Sequence, residues 1–180
     1  MIVIVSIYSY ADLENHLLCG TACVMRIASI SKTLTMTVLA KLWEEGKVDL
    51  DADVRDYVPE WPEKTVDGEK VRLTVRQLCC HMAGVRHYTK KGEKAGEEFG
   101  LAEYHLRDVF DTTEDSLALF KDDDLISAPG SEFLYTTHGF TLLAKVIENV
   151  SGKIFQYLAE SQIPNPAWGW TKYLGLMRSS

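Results

Sequence analysis

The sequence predicts an α+β domain in which helices dominate. Two long stretches, 29–46 and 137–150, repeat apolar residues at helical spacing. A shorter helical stretch follows Thr74, a residue suited to open one. β-Branched and aromatic residues concentrate in one region only, residues 3–13.

Taken in order, residues 3–13 read as a strand, because Val3, Ile4, Val5, Ile7, Tyr8 and Tyr10 favour extended backbone. A strand at the very start carries the expectation that further sequence precedes it. Residues 14–24 read as a connection. The helix over 29–46 buries Leu34, Val38, Leu39 and Leu42, with Gly46 as its stop. Residues 47–63 read as a packed but irregular connection, interrupted by Pro59 and Pro62. Trp43, Tyr57 and Trp61 are expected in the core. Residues 71–73 are extended, and Thr74 caps a helix over 75–82 that Gly84 closes. The Lys/Glu/Gly-rich stretch 89–100 is expected to be a mobile surface loop. A helix over 113–122 comes next, then a turn at Pro129-Gly130. The helix over 137–150 buries Phe140, Leu143, Ala144 and Ile147, and Gly152 caps it. From Pro164 onward no periodicity survives. Residues 164–180 therefore read as an irregular tail (a linker, an insertion or a gene-model artefact), which leaves 1–163 as the domain.

Composition narrows the function. The 180 residues carry a net charge of −7, against the basic footprint of a nucleic-acid binder. No stretch approaches the ~20 apolar residues of a membrane span, and no signal or transit peptide is recognisable. Cys19, Cys23, Cys79 and Cys80 do not form a disulfide framework and read as free thiols of a reducing compartment. Cys19-x-x-x-Cys23 lacks a second ligand pair, and His16, His81, His87, His105 and His138 have no metal-binding spacing, so no metal and no cofactor is expected. His81 reads as a helix-end imidazole bonded to backbone.

One constellation carries chemistry. Ser29 and Lys32 stand at i and i+3, so a helix beginning near Ser29 presents hydroxyl and amine on one face. A serine hydroxyl needs a base within hydrogen-bond reach to become a nucleophile. A lysine serves as that base when neutral, which an apolar setting favours; Ile27, Ala28, Ile30 and Leu34 are its expected surroundings. A helix N-terminus also stabilises a developing oxyanion. Spacing alone equally fits a solvated helix start with Ser29 as N-cap.

The flanking residues decide between these. Tyr10-Ala11-Asp12-Leu13-Glu14-Asn15 and Met25-Arg26-Ile27-Ala28-Ser29-Ile30-Ser31-Lys32-Thr33-Leu34-Thr35 resemble the first motif region of the β-lactamase-related serine hydrolases. Leu73-Thr74-Val75-Arg76-Gln77-Leu78-Cys79-Cys80-His81-Met82-Ala83-Gly84 resembles a further block of that family, and Pro129-Gly130-Ser131-Glu132-Phe133-Leu134-Tyr135-Thr136-Thr137 resembles its second motif. The blocks follow the family's order. The resemblance implies the helical part of a β-lactamase/transpeptidase-like fold, with Ser29 acylated, Lys32 activating it and Tyr135 relaying a proton. By residue type alone Tyr135 equally fits a half-buried aromatic after a turn. Thr137 stands where relatives carry Asn or Ser and is the implied substrate-binding residue. The implied partner is a peptide or ester substrate.

The chain also departs from the family. A Lys/His-Thr/Ser-Gly triplet, the third motif, is not found after Tyr135, and most of the family's antiparallel sheet is expected to be missing. The expectation is a fragment with weak activity and marginal stability. The resemblance extends to the family's animal mitochondrial members, through residues 40–45, Val58-Pro59-Glu60, Pro62-Glu63-Lys64 and Arg86-His87-Tyr88. It implies a mitochondrial location and an alternative role as a self-associating, filament-forming scaffold without catalysis.

Overall fold

The computed structural model describes residues 9–20, 23, 27–88 and 110–155. The expected loop 89–100, the tail 164–180 and His105 lie outside these residues, as does most of the strand expected over 3–13.

Of that strand, β1 (Tyr10–Asp12) is described, and it pairs antiparallel with β2 (Leu17–Leu18) inside the expected connection. Asp12 closes the hairpin by accepting from the Asn15 backbone at 2.9 Å and from its side-chain amide at 2.8 Å. The first long helix, α1 (Ile30–Glu44), starts one residue after Ser29. It buries Thr35, Val38, Leu39 and Leu42, while Leu34 is only half-buried. Trp43 is 55% exposed, contrary to expectation, because it projects from the flank of that stripe. Trp61 is buried as expected, edged against Phe120 with ring centroids 5.9 Å apart.

A 3-10 turn (Val54–Asp56) is capped by the Asp53 carboxylate and leads to a second hairpin, β3 (Lys64–Val66) with β4 (Glu69–Val71). The sequence reading missed this hairpin. Its strands are too charged for alternating apolar patterning, yet Asp67-Gly68 is a two-residue hairpin signal, with φ of 52° and 84°. Thr74 caps α2 (Val75–Cys79) as expected, in a capping box with Gln77. This helix stops before Met82. His81 enters the left-handed region at φ 58° and turns its carbonyl to accept from Leu134 N–H at 2.7 Å. Gly84 is needed for a different reason from helix closure: a Cβ there would lie 2.1 Å from the Ser127 carbonyl oxygen.

The next helix, α3 (Thr113–Leu117), is shorter than the stretch 113–122. Turns follow it, and the buried Lys64 ammonium gathers the carbonyls of Lys121 and Asp123 there. The last described helix, α4 (His138–Ser151), ends at Gly152 in the left-handed conformation, as expected. It packs against α1, α2 and α3 and is the centre of the core. Phe140, Leu142, Leu143, Val146 and Ile147 are its buried apolar side chains; Ala144 is half-buried, displaced by the closer-packed Leu142 and Val146. No described helix is long and apolar enough to cross a membrane.

Candidate active site

Ser29 is the residue immediately before α1, and Ala28, just ahead of it, is held at φ 44°. A non-glycine residue in that region is strained, and such strain clusters at functional sites. The Ser29 side chain makes no capping hydrogen bond. Ser29 thus stands exposed at the N-cap position, as that alternative expects, but its hydroxyl faces side chains instead of the helix amides. The Tyr135 hydroxyl donates to Ser29 Oγ at 2.7 Å. The Lys32 ammonium donates to the same oxygen at 3.2 Å and to Thr137 Oγ1 at 3.3 Å. Ser29, Lys32, Tyr135 and Thr137, the four residues singled out by sequence, thus converge on one cluster.

The apolar setting of Lys32 differs from the expected one. Ile30 is 59% exposed and Ala28 is exposed as well. The lysine instead lies over the Tyr135 ring, 4.6 Å from its centroid, and 5.7 Å from that of Phe140. Hydrogen bonding with Lys32, then with Ser29, holds the Tyr135 phenol below its ordinary value of 10.0, against a small opposing effect of burial. A phenol so placed changes protonation more easily than a free tyrosine, which suits proton transfer at the serine.

Thr137 is the N-cap of α4 and, like Ser29, makes no capping bond. Its neighbour does that work. Thr136 Oγ1 accepts from Gly139 N–H at 3.2 Å and donates to the Arg86 carbonyl at 2.6 Å. Gly139 leaves room for this arrangement, since a Cβ there would come within 2.7 Å of Thr136 Cγ2. The Thr137 hydroxyl is thereby left to Lys32.

Two histidines, His81 and His87, support this segment through its backbone amides. His81 Nδ1 accepts from Thr136 N–H at 3.1 Å, so its imidazole is bonded to backbone as expected. His87 Nδ1 accepts from Thr137 N–H at 3.2 Å. Beneath them lies a buried guanidinium that sequence reasoning missed. Arg86, 1% exposed, pairs with Asp123 at 2.6 Å and donates to the carbonyls of His87 and Leu119. Its Nη1 stands 3.3 Å from His138 Nε2, and the His138 ring stacks on Phe120 with centroids 4.4 Å apart. The burial of Arg86 escaped the sequence because Asp123, Leu119 and His138 lie 37, 33 and 52 positions away.

The sequence signature of the beta-lactamase family matches residues 2–175. The chain belongs to the beta-lactamase family. Among its relatives, the human serine beta-lactamase-like protein LACTB, mitochondrial, is 40% identical over 203 residues, covering 83% of this chain and 37% of that protein. The D-alanyl-D-alanine-carboxypeptidase/endopeptidase AmpH of Escherichia coli K12 is 31% identical over 144 residues, covering 79% of this chain and 34% of that protein. The chain thus spans little more than a third of the length of these relatives. A crystal structure of a penicillin-binding protein from Bacillus halodurans superposes with a TM-score of 0.70 at 28% identity, over 88% of this chain and 46% of that one. The fold is accordingly of the β-lactamase/transpeptidase type, and the chain is a beta-lactamase-family member with the serine-hydrolase fold of penicillin-binding and carboxypeptidase-like proteins.

Proposed function

We propose that this beta-lactamase-family chain is built for acyl transfer through Ser29. The single observation that carries the reading is the double engagement of one oxygen: Ser29 Oγ receives hydrogen bonds from Tyr135 at 2.7 Å and from Lys32 at 3.2 Å. In the proposed reaction Ser29 Oγ attacks the carbonyl carbon of a peptide or ester, and its proton passes to the Lys32–Tyr135 pair. That pair returns the proton to the leaving amine or alcohol. Water then attacks the acyl-serine; the same groups take its proton and return it to Ser29 Oγ as the acyl–oxygen bond breaks and the carboxylic acid leaves. The N-terminal end of α1 favours the negative charge that develops at the substrate oxygen. Thr137, held by Lys32 at 3.3 Å, is the proposed contact for the substrate's polar groups.

Rate is the second part of the proposal. Residues 136–180 contain no Lys/His-Thr/Ser-Gly triplet. By likeness to the family, the strand that carries this triplet would provide the second oxyanion donor, and loss of one such donor costs about 10²–10³ in rate. The 180-residue chain alone is therefore proposed to acylate slowly. By likeness to its mitochondrial relatives, the proposed compartment is the mitochondrion.

Labelling with a fluorophosphonate or a fluorescent penicillin tests the assignment. Slow labelling that disappears in Ser29→Ala is expected. Labelling that persists undiminished in Ser29→Ala refutes the nucleophile, and labelling at the rate of full-length relatives refutes the impairment.

A further inference from the structure

His81 takes no part in the proposed proton transfers, yet it grips the segment carrying Tyr135 at three points. Its carbonyl accepts from Leu134 N–H at 2.7 Å. Its ring Nδ1 accepts from Thr136 N–H at 3.1 Å. Its ring plane lies against the Tyr135 ring, with centroids 4.5 Å apart and 35° between planes. The amides on both sides of Tyr135 therefore end on a single residue, and the tyrosine is fixed between them with its hydroxyl on Ser29.

An imidazole accepts at Nδ1 only when its proton sits on Nε2, so the grip requires a neutral ring. The groups around the ring favour that form. Lys32 of α1 contributes a positive charge, Phe140 of α4 contributes an apolar face at 5.0 Å, and Phe133 and Tyr135 cover it from the segment itself. Burial and then the Lys32 charge hold the ring below the ordinary histidine value of 6.5.

We propose that His81 is a positioning residue for Tyr135, and that a proton on its Nδ1 unlocks the Thr136 amide and draws the Tyr135 hydroxyl away from Ser29. The effect on rate rests on the acyl-serine reading; the coupling between ring and amide does not. Sign follows from linkage. A folded-state value below 6.5 means the contribution is present above 6.5 and is lost as pH falls through the lower folded value. Acid thus slows acylation and loosens the segment together. His87 accepts from Thr137 N–H in a similar way at 3.2 Å, so the test must separate the two rings.

The full chain, isotopically labelled, is titrated by NMR from the alkaline to the acid side of the histidine range. The Thr136 amide and the Tyr135 ring signals are expected to move with the midpoint of the His81 ring, below 6.5. Two variants divide the role. His81→Asn places a non-titrating acceptor near the Nδ1 position and tolerates the left-handed backbone; probe labelling at neutral pH stays within about threefold and loses the acid limb that tracks His81. His81→Phe keeps the ring and removes the acceptor, so it labels roughly tenfold more slowly than the parent at neutral pH, and the difference closes on the acid side where the parent has lost the acceptor too. A Thr136 amide indifferent to the His81 titration, or an acid limb unchanged in His81→Asn, overturns the proposal. If the probe never reaches Ser29, the acyl-serine reading fails, and the wild-type amide titration still decides the role of His81.

Discussion

Gly84→Ala is the most informative single change outside the reacting groups. Residues 81–84 are stitched to residues 126–134 by three backbone hydrogen bonds: Ile126 N–H to the Gly84 carbonyl at 2.8 Å, Gly130 N–H to Met82 at 2.7 Å, and Leu134 N–H to His81 at 2.7 Å. At Gly84 the backbone has φ 71°, and an added Cβ would sit 2.1 Å from the Ser127 carbonyl oxygen. The conformation alone costs an alanine about 1–2 kcal/mol. The contact is with backbone, so no rotamer relieves it, and the two segments must part. Parting them breaks the Ile126 bond and leaves a buried amide poorly paired, a further cost of about 1–3 kcal/mol. The sum is about 2–5 kcal/mol, equivalent to a fall in Tm of roughly 10 °C for a chain of this size. The assay is paired: denaturant unfolding followed by circular dichroism, and fluorophosphonate labelling below the unfolding transition. Both stability and labelling are expected to drop, since the displaced segment carries Tyr135. A variant within about 1 kcal/mol of the parent refutes the close crossing of residues 84 and 127.

Tyr135→Phe retains the ring over Lys32 and removes the proton donor at Ser29; acylation is expected to fall by about 10²–10⁴. In the parent, acylation rises with pH through a value below 10.0 as the phenol ionises, and the variant lacks that rise; an identical alkaline profile would exclude the tyrosine as a proton relay. Arg86→Met removes the buried guanidinium that pairs with Asp123 at 2.6 Å and donates to the carbonyls of His87 and Leu119, and is expected to cost about 3–5 kcal/mol in urea unfolding; a loss under about 1 kcal/mol contradicts the buried pair. Burial pushes the Cys79 thiol up to about 12, with its neighbour Cys80 adding to the shift. Iodoacetamide is therefore expected to modify the exposed Cys80 well before Cys79, and mass spectrometry of the tryptic peptide reads the order. Preferential alkylation of Cys79 would refute its burial.

Helices were legible where one element contains its own signal. The stripe of α1 and the Gly152 stop of α4 depend on local spacing and on one glycine in the left-handed region. Ser29 and Lys32 were legible for the same reason, being one helical turn apart. What escaped depends on residues distant in sequence. The Thr136 amide meets His81 across 55 positions, and the Arg86 guanidinium meets Asp123 across 37. The buried Lys64 ammonium meets carbonyls 57 and 59 positions away, which no propensity scale registers. The exposure of Trp43 follows from which face of α1 meets α4, and residue type alone predicts the opposite.

The handover at the start of α4 separates two kinds of selection. Thr136 serves the helix, through Gly139 N–H and the Arg86 carbonyl, while Thr137 serves Lys32. Under the proposed acyl-serine reading, a change at position 137 alters what the site offers a substrate without removing the helix's hydroxyl acceptor. Descendants of such a sequence are free to exchange serine, threonine or asparagine there and explore new substrates, with the adjacent position bearing the burden of keeping the protein folded.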